Sequence, residues 1–113
     1  MAGVSELLQK NKSFLFGLST FNRSQRTHLL KNASRSQVLS VVEIILNILK
    51  NNFKIPDTVF QHMQKYKHIF RRIIEKQPWK RRRELLVKIA AVIAKVLKRI
   101  LNEIYEQFMN DEM

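Results

Sequence analysis

The hydrophobic pattern of the chain repeats at helical spacing and is densest in the segment 38–49, where Val, Ile and Leu occupy nearly every position. Ser34 and Ser36, which lie just before it, are both suitable N-cap residues. The polar positions of the segment form one narrow stripe, Ser40, Glu43, Asn47 and Lys50. A helix that is apolar on most of its sides needs neighbours on several of them. We therefore expect this helix at the centre of the fold.

Two prolines divide the rest of the chain. The stretch from Asn51 to Pro56 ends the central helix, because a residue before proline is pushed out of the helical region and Asn tolerates left-handed geometry at a helix end. A second helix is predicted over residues 57–76, with Asp57 or Thr58 as its N-cap. Its polar side collects Gln61, Lys65, His68, Arg72 and Lys76. After Pro78, a third helix of roughly 40 Å is predicted over residues 80–108.

These elements predict an all-α fold, a small helical bundle of three main helices plus a short N-terminal helical segment. We expect residues 1–32 to form a loosely packed N-terminal helical arm, residues 33–109 a basic helical core domain, and residues 110–113 an acidic tail. The length of 113 residues allows one domain at most. With only two glycines and two prolines, tight turns are few, which disfavours sheet-rich folds.

Catalysis and cofactor binding find little support in the sequence. The absence of cysteine excludes disulfides and thiolate chemistry, and makes a small secreted scaffold improbable. His62 and His68 are six residues apart, whereas a chelating pair on a helix is three or four apart. Neither Gly3 nor Gly17 belongs to a phosphate-binding loop. We predict a protein that is not an enzyme, binds no cofactor or metal, and is not secreted.

The charge of the chain is concentrated. Its formal net charge is +12, and residues 54–99 hold 14 Lys and Arg against 3 acidic residues. Residues 80–83, Lys-Arg-Arg-Arg, fall at the start of the third helix, where cations oppose the helix dipole and a bound phosphate would relieve the repulsion. The alternative interpretation is a solvated helix cap or a nuclear-localisation signal. The predicted nucleic-acid-binding residues are Lys65, Arg72, Lys76, Lys80, Arg81, Arg82, Arg83 and Lys88.

Other interpretations stay open. Trp79 is a candidate for stacking on bases, or else an aromatic that fixes the turn to the core. Residues 85–101 have the composition of an interfacial helix that could act on an anionic membrane. A protein adaptor or a homodimer is a further alternative, with a seam through Leu86, Ile93, Leu97, Ile100 and Ile104. An adaptor should expose an apolar groove, a membrane protein should expose Ile93 and Leu97, and a nucleic-acid binder should expose neither.

An ordered set of motifs over roughly residues 31–86 resembles a known family. The motifs are Ala33-Ser34-Arg35-Ser36-Gln37-Val38-Leu39, Glu43 through Leu49, Ile55-Pro56, Lys65-Tyr66-Lys67-His68, and residues 80–83 before Leu85-Leu86. In this order they resemble a short open reading frame of adintovirus and Polinton (Maverick) elements, which is also found as integrated copies in animal genomes. The resemblance implies a viral or virus-derived late protein, comparable to the basic core peptides with which adenoviruses package DNA, and membrane activity is also suggested for such proteins. It implies DNA rather than RNA as the partner, and a place in the nucleus or the virion.

The chain departs from the family pattern in three places. It has fewer lysines around residues 65–67, Trp79 where a small polar residue is usual, and a charged C-terminal helix in place of a more apolar tail. These departures count against genome packaging and favour a folded, soluble module.

Overall fold

The computed structural model describes residues 5–112, with side chains described for residues 5–106. The described residues form eight α-helices and no β-strand. The helices are α1 (Glu6–Lys10), α2 (Lys12–Thr20), α3 (Arg23–Lys31), α4 (Arg35–Leu49), α5 (Asp57–Gln64), α6 (Lys67–Ile74), α7 (Trp79–Lys88) and α8 (Ala90–Glu112). The predicted all-α class is confirmed. The number of helices is not, because the predicted second and third helices are each divided in two and the N-terminal segment holds three.

The N-terminal segment is part of the core and not a loose arm. Leu8, Leu15, Leu18 and Leu30 are each at most 1% exposed and belong to one hydrophobic core that draws on all eight helices. Helix α2 packs along α8. The expectation of loose packing is therefore wrong for residues 5–32, while residues 1–4 lie outside the described residues. At the other end, residues 110–112 of the predicted acidic tail continue α8, and Met113 lies outside the described residues.

Helix α4 is central, as its pattern predicted, and packs against α1, α2, α6 and α7. Of the two predicted N-caps, Ser34 is the one used. Its hydroxyl accepts from the Gln37 amide at 3.2 Å, and the Gln37 side chain accepts from the Ser34 amide at 2.9 Å, which is a capping box. After the helix, Asn51 adopts the left-handed region with φ of 63°. The prediction that Asn ends this helix in left-handed geometry is confirmed.

The predicted second helix is broken in the middle. It begins after Pro56, which occupies the N-cap position without a side-chain hydrogen bond, and Asp57 is the first helical residue instead of the cap. Tyr66, with φ of −116° and ψ of 23°, then separates α5 from α6. The five residues of the predicted polar side are all exposed. Gln61 lies on α5, His68 and Arg72 lie on α6, and Lys65 and Lys76 lie outside both helices. The five residues therefore do not form one stripe on one helix.

The predicted third helix is broken at Ile89. This residue has φ of −117° and ψ of 26°, and its side chain is 2% exposed. Helix α7 packs on α3, α4 and α6, whereas α8 packs on α2, α3 and α5. A straight helix over residues 80–108 would be about 43 Å long at 1.5 Å per residue, which exceeds the 38 Å longest extent of the molecule. The break lets α7 pack on α4 and α6 while α8 packs on α2 and α5, and both halves pack on α3.

Candidate nucleic-acid interface

The candidate interface is built around the corner between α6 and α7, residues 75–78. Helix α6 ends at Ile74, and Pro78 starts α7. Two side chains close the corner onto the backbone: the Gln77 amide donates to the Arg72 carbonyl, and Arg82 Nη2 donates to the Glu75 carbonyl at 2.8 Å. Because α6 and α7 also pack against each other, the cations on either side of Pro78 are held on one part of the surface.

Six of the eight predicted nucleic-acid-binding residues are exposed: Lys65, Arg72, Lys76, Lys80, Arg81 and Lys88. In the described part of the chain, no Lys or Arg nitrogen lies within 4 Å of an acidic side-chain oxygen. The charges on these six residues are therefore not neutralised internally. Lys65 precedes α6 and Lys88 is the last residue of α7, so both lie away from the corner and extend its charge along the two helices.

The other two predicted residues, Arg82 and Arg83, are half-buried and take part in the fold. Arg83 Nη1 donates to the Ala33 carbonyl at 3.1 Å, and its guanidinium lies 5.1 Å from the centre of the Trp79 ring. Arg82 is bound to the Glu75 carbonyl, and its Nε is buried without a hydrogen-bond partner. These two arginines hold α7 to the rest of the molecule. The sequence had suggested that both are free cations, and the structure shows instead that both bind backbone carbonyls.

Trp79 is half-buried and packs against the hydrophobic core. Besides Arg83, the Lys80 amine lies 6.0 Å from its ring centre. This is the arrangement of an aromatic that fixes a turn to the core. Trp79 is not an open platform for base stacking.

The N-terminus of α7 lies at the corner and has no side-chain cap. Pro78 supplies no side-chain cap, and its carbonyl accepts from the Arg81 and Arg82 amides, at 3.1 Å and 3.4 Å. The amides of the preceding helical residues, Trp79 and Lys80, have no such partner. By contrast, α3 and α4 both begin with capping boxes. Helices α2, α5 and α6 also begin without a side-chain cap. At α7, backbone amides without a helical partner occur beside exposed cations, a combination that suits an anion.

Two further cations near α7 were missed by the sequence analysis. Lys31 is the last residue of α3 and Arg35 the first of α4, and both are exposed. The junction between them rests on α7, because Arg83 binds Ala33 across 50 residues of sequence. We define the corner surface as Lys31, Arg35, Arg72, Lys76, Lys80 and Arg81. No local signal could have joined the first two to the rest, since only the packing of α3 on α7 does so.

The surfaces expected for a homodimer and for a membrane protein are both buried. The predicted homodimer seam, Leu86, Ile93, Leu97, Ile100 and Ile104, is buried within a single chain, at most 4% exposed. A second copy therefore cannot use it, and the exposed Ile93 and Leu97 expected of a membrane protein are absent from the surface. None of the described helices has the length and apolarity needed to cross a bilayer.

The apolar groove expected of an adaptor is present, so the expectation that a nucleic-acid binder exposes no such groove is not met. An apolar groove of about 160 Å³ opens between the end of α4 and the pair α5–α6. Its apolar lining residues are Leu49, Phe60, Met63 and Phe70, and Lys67 and Arg71 stand at its edge.

Comparisons with known proteins found no relative of the chain. No protein-family model matches the chain, and no curated protein or solved structure shows detectable similarity to it.

Proposed function

We propose that the chain binds the phosphate backbone of nucleic acid without reading its sequence. The observation that carries this proposal is the corner surface, whose exposed cations have no acidic partner and belong to the corner and to the helices that meet at α7, which begins without a side-chain cap. Each Lys or Arg that neutralises a phosphate releases condensed counterions, which favours binding at low salt. A charge of this sign and density needs no base-specific groove contact to bind a duplex.

DNA is the preferred partner in this proposal, and the role is that of a small virion or nuclear DNA-binding protein. The resemblance to adintovirus and Polinton late proteins supports this choice. The folded core with its fixed arginines favours a compact module that coats DNA over an extended condensing peptide. The alternative of membrane action is weakened by the burial of Ile93 and Leu97, at 2% and 1% exposure.

The test is fluorescence anisotropy of a labelled DNA duplex over a salt series. With about six phosphates neutralised, the slope of log affinity against log salt should lie near −5. The informative variant changes Arg72, Lys76, Lys80 and Arg81 to Gln. It leaves out Arg82 and Arg83, because their loss would disturb the fold and confuse the result. Losing four phosphate contacts should flatten the slope by about 3 to 4 units.

The matched control changes Lys50, Lys54, Lys98 and Arg99 to Gln, which removes the same charge from other exposed positions. This control should change the slope of log affinity against log salt by less than half the change expected for the corner-surface variant. An equal loss in both variants would mean that the total charge binds DNA and no particular surface does. Absent or salt-insensitive binding would refute the proposal. An RNA duplex of the same length, measured in parallel, tests the preference for DNA.

A further inference from the structure

The apolar groove is a second recognition surface, and it differs from the corner surface in kind. Leu49 and Phe60 are 43% and 39% exposed, which makes them two of the four large hydrophobic side chains found exposed among the described residues. Met63 and Phe70 are each 3% exposed and form the floor. Apolar side chains that are clustered and left open to water in this way mark binding surfaces more often than isolated ones do.

The groove exists because of the break between α5 and α6. Phe60 and Met63 lie on α5, Phe70 lies on α6, and Leu49 is the last residue of α4. Helix α5 packs on α8, whereas α6 packs on α4. Because the two short helices pack on different neighbours, a gap stays open between them and the end of α4. Its volume of about 160 Å³ is close to the roughly 150 Å³ that accepts a benzene-sized ring in a protein interior. One Phe or Leu side chain is therefore the size of occupant that fits.

The charge at the edge of the groove narrows the choice of partner. Lys67 and Arg71 are one helical turn apart on α6 and therefore neighbours on its surface, and both are exposed. They form no ion pair or side-chain hydrogen bond within the described part of the chain, and no acidic residue lines the groove. A partner that fills the apolar floor and brings carboxylates to these two cations would satisfy both parts of the surface.

We propose that this groove binds an acidic amphipathic helix of a partner protein. One large apolar side chain of that helix enters between Leu49 and Phe60, and its Asp or Glu residues pair with Lys67 and Arg71. Helices that bind grooves in this way present anchors at positions i and i+3 or i+4. This interaction is separate from nucleic-acid binding, so the protein would hold an acidic partner on one surface and phosphate on another.

The probe is a fluorescein-labelled, end-blocked peptide of about 15 residues, with Phe and Leu four positions apart and Glu on the same face. Two companion peptides replace either the Phe and Leu by Ala or the Glu residues by Gln. Fluorescence anisotropy with the full chain should show binding of the first peptide and at least about tenfold weaker binding of each companion. If the first peptide does not bind at protein concentrations up to about 1 mM, or if the Ala peptide binds equally well, the proposal is wrong.

Variants of the protein locate the binding site. Phe60→Asp should weaken peptide binding about tenfold or more, whereas Phe21→Asp is the matched control, since Phe21 is 41% exposed and does not line the groove. The double variant Lys67→Glu with Arg71→Glu should also weaken it, compared with Lys98→Glu and Arg99→Glu, which carry the same charge change at exposed positions of α8. Because all four cations are exposed, these variants should fold, and thermal unfolding checks this. Equal binding by a variant and its control would overturn the proposal.

Two further measurements test whether nucleic acid or a second copy of the chain occupies the groove instead. Measured against the same duplex DNA, the Lys67→Glu and Arg71→Glu variant should lose no more affinity than its control. A greater loss would assign the groove to nucleic acid and overturn the proposal of a protein partner. Light scattering of the full chain should show a monomer. A dimer that Phe60→Asp dissociates would make a second copy the occupant. The peptide-binding and light-scattering results do not depend on whether the corner surface binds DNA.

Discussion

Tyr105 joins α8 to the start of the chain through a single hydroxyl group, and its replacement by Phe tests the packing of the N-terminal segment. The hydroxyl donates to the Leu8 carbonyl, 97 residues away in sequence, and the side chain is 5% exposed. The ring centre lies 5.6 Å from that of Phe16, and the Lys12 amine lies 5.3 Å from it. Tyr105→Phe keeps the ring and its packing but leaves the buried Leu8 carbonyl without this donor.

The expected size of the effect follows from that geometry. A buried acceptor that loses its partner lowers the free energy of unfolding by about 1–3 kcal/mol. For a domain of about 100 residues, this is a fall in Tm of about 4–12 °C. If the N-terminal segment were a loose arm, the hydroxyl would be solvated in both states and the substitution would change the stability by less than about 0.5 kcal/mol.

The pH dependence of the free energy of unfolding gives a second expected value for the contribution of the Tyr105 hydroxyl. Burial, together with the negative charge of Glu43, raises the pKa of Tyr105 from 10.0 to about 12. The folded state therefore holds the phenolic proton more tightly than the unfolded state does. The resulting stabilisation is complete below pH 10 and is lost as the pH rises toward 12. At about 1.4 kcal/mol per pKa unit, the loss is about 2–3 kcal/mol.

The assay is urea unfolding followed by circular dichroism, from about pH 8 to about pH 11.5, on the wild type and on Tyr105→Phe. Lysines also lose protons in this range, but equally in both proteins, so the difference between the two isolates Tyr105. That difference should be largest at the low end and should shrink as the pH rises. Tyr66→Phe is the control, because Tyr66 is 38% exposed. If the two variants behave alike at every pH, the Tyr105 hydroxyl does not connect α1 to α8.

Two further substitutions test the division between structural and binding residues, and a third tests the membrane interpretation. Arg83→Gln should lower the free energy of unfolding by about 1–2 kcal/mol, because it removes the bond to the Ala33 carbonyl and the contact with Trp79. Arg81→Gln should change it by less than about 0.5 kcal/mol, and equal effects in urea unfolding would contradict the assignment. Leu97→Ala should lower the stability by about 2–5 kcal/mol without altering association with anionic vesicles in a flotation assay. Weaker vesicle association with unchanged stability would restore the membrane interpretation.

The candidate site could be predicted only in part. That exposed cations would gather near Pro78 follows from the sequence, because Lys76, Lys80 and Arg81 are charged and lie within three residues of it. That Arg82 and Arg83 would turn inward does not follow, since adjacent arginines in one run have the same local preferences. The direction of each depends on what faces it, and Ala33 is 50 residues away from Arg83. For the same reason, Lys31 and Arg35 could not be assigned to the surface in advance.

What the sequence by itself determined are the features with a local physical cause. Proline fixes the breaks at Pro56 and Pro78, the hydroxyls of Ser34 and Ser36 place the start of α4 within two residues, and the tolerance of Asn for left-handed geometry places its end just before Pro56. The structure then selects Ser34 as the N-cap and Asn51 as the left-handed residue. The helical class and the central place of α4 follow equally from the apolar pattern, which every part of the chain carries in its own residues.

Only the tertiary structure decided where helices without such signals break and what their faces touch. The break at Ile89 lies in a run of good helix formers with neither Gly nor Pro, and the one at Tyr66 has no breaker either. At each break, the free energy lost with the helical hydrogen bonds is small compared with the free energy gained when two differently directed helices bury more apolar area. That gain depends on contacts between distant segments, such as α2 with α8 and α3 with α7. The same contacts bury the predicted dimer seam and leave the groove beside Phe60 open.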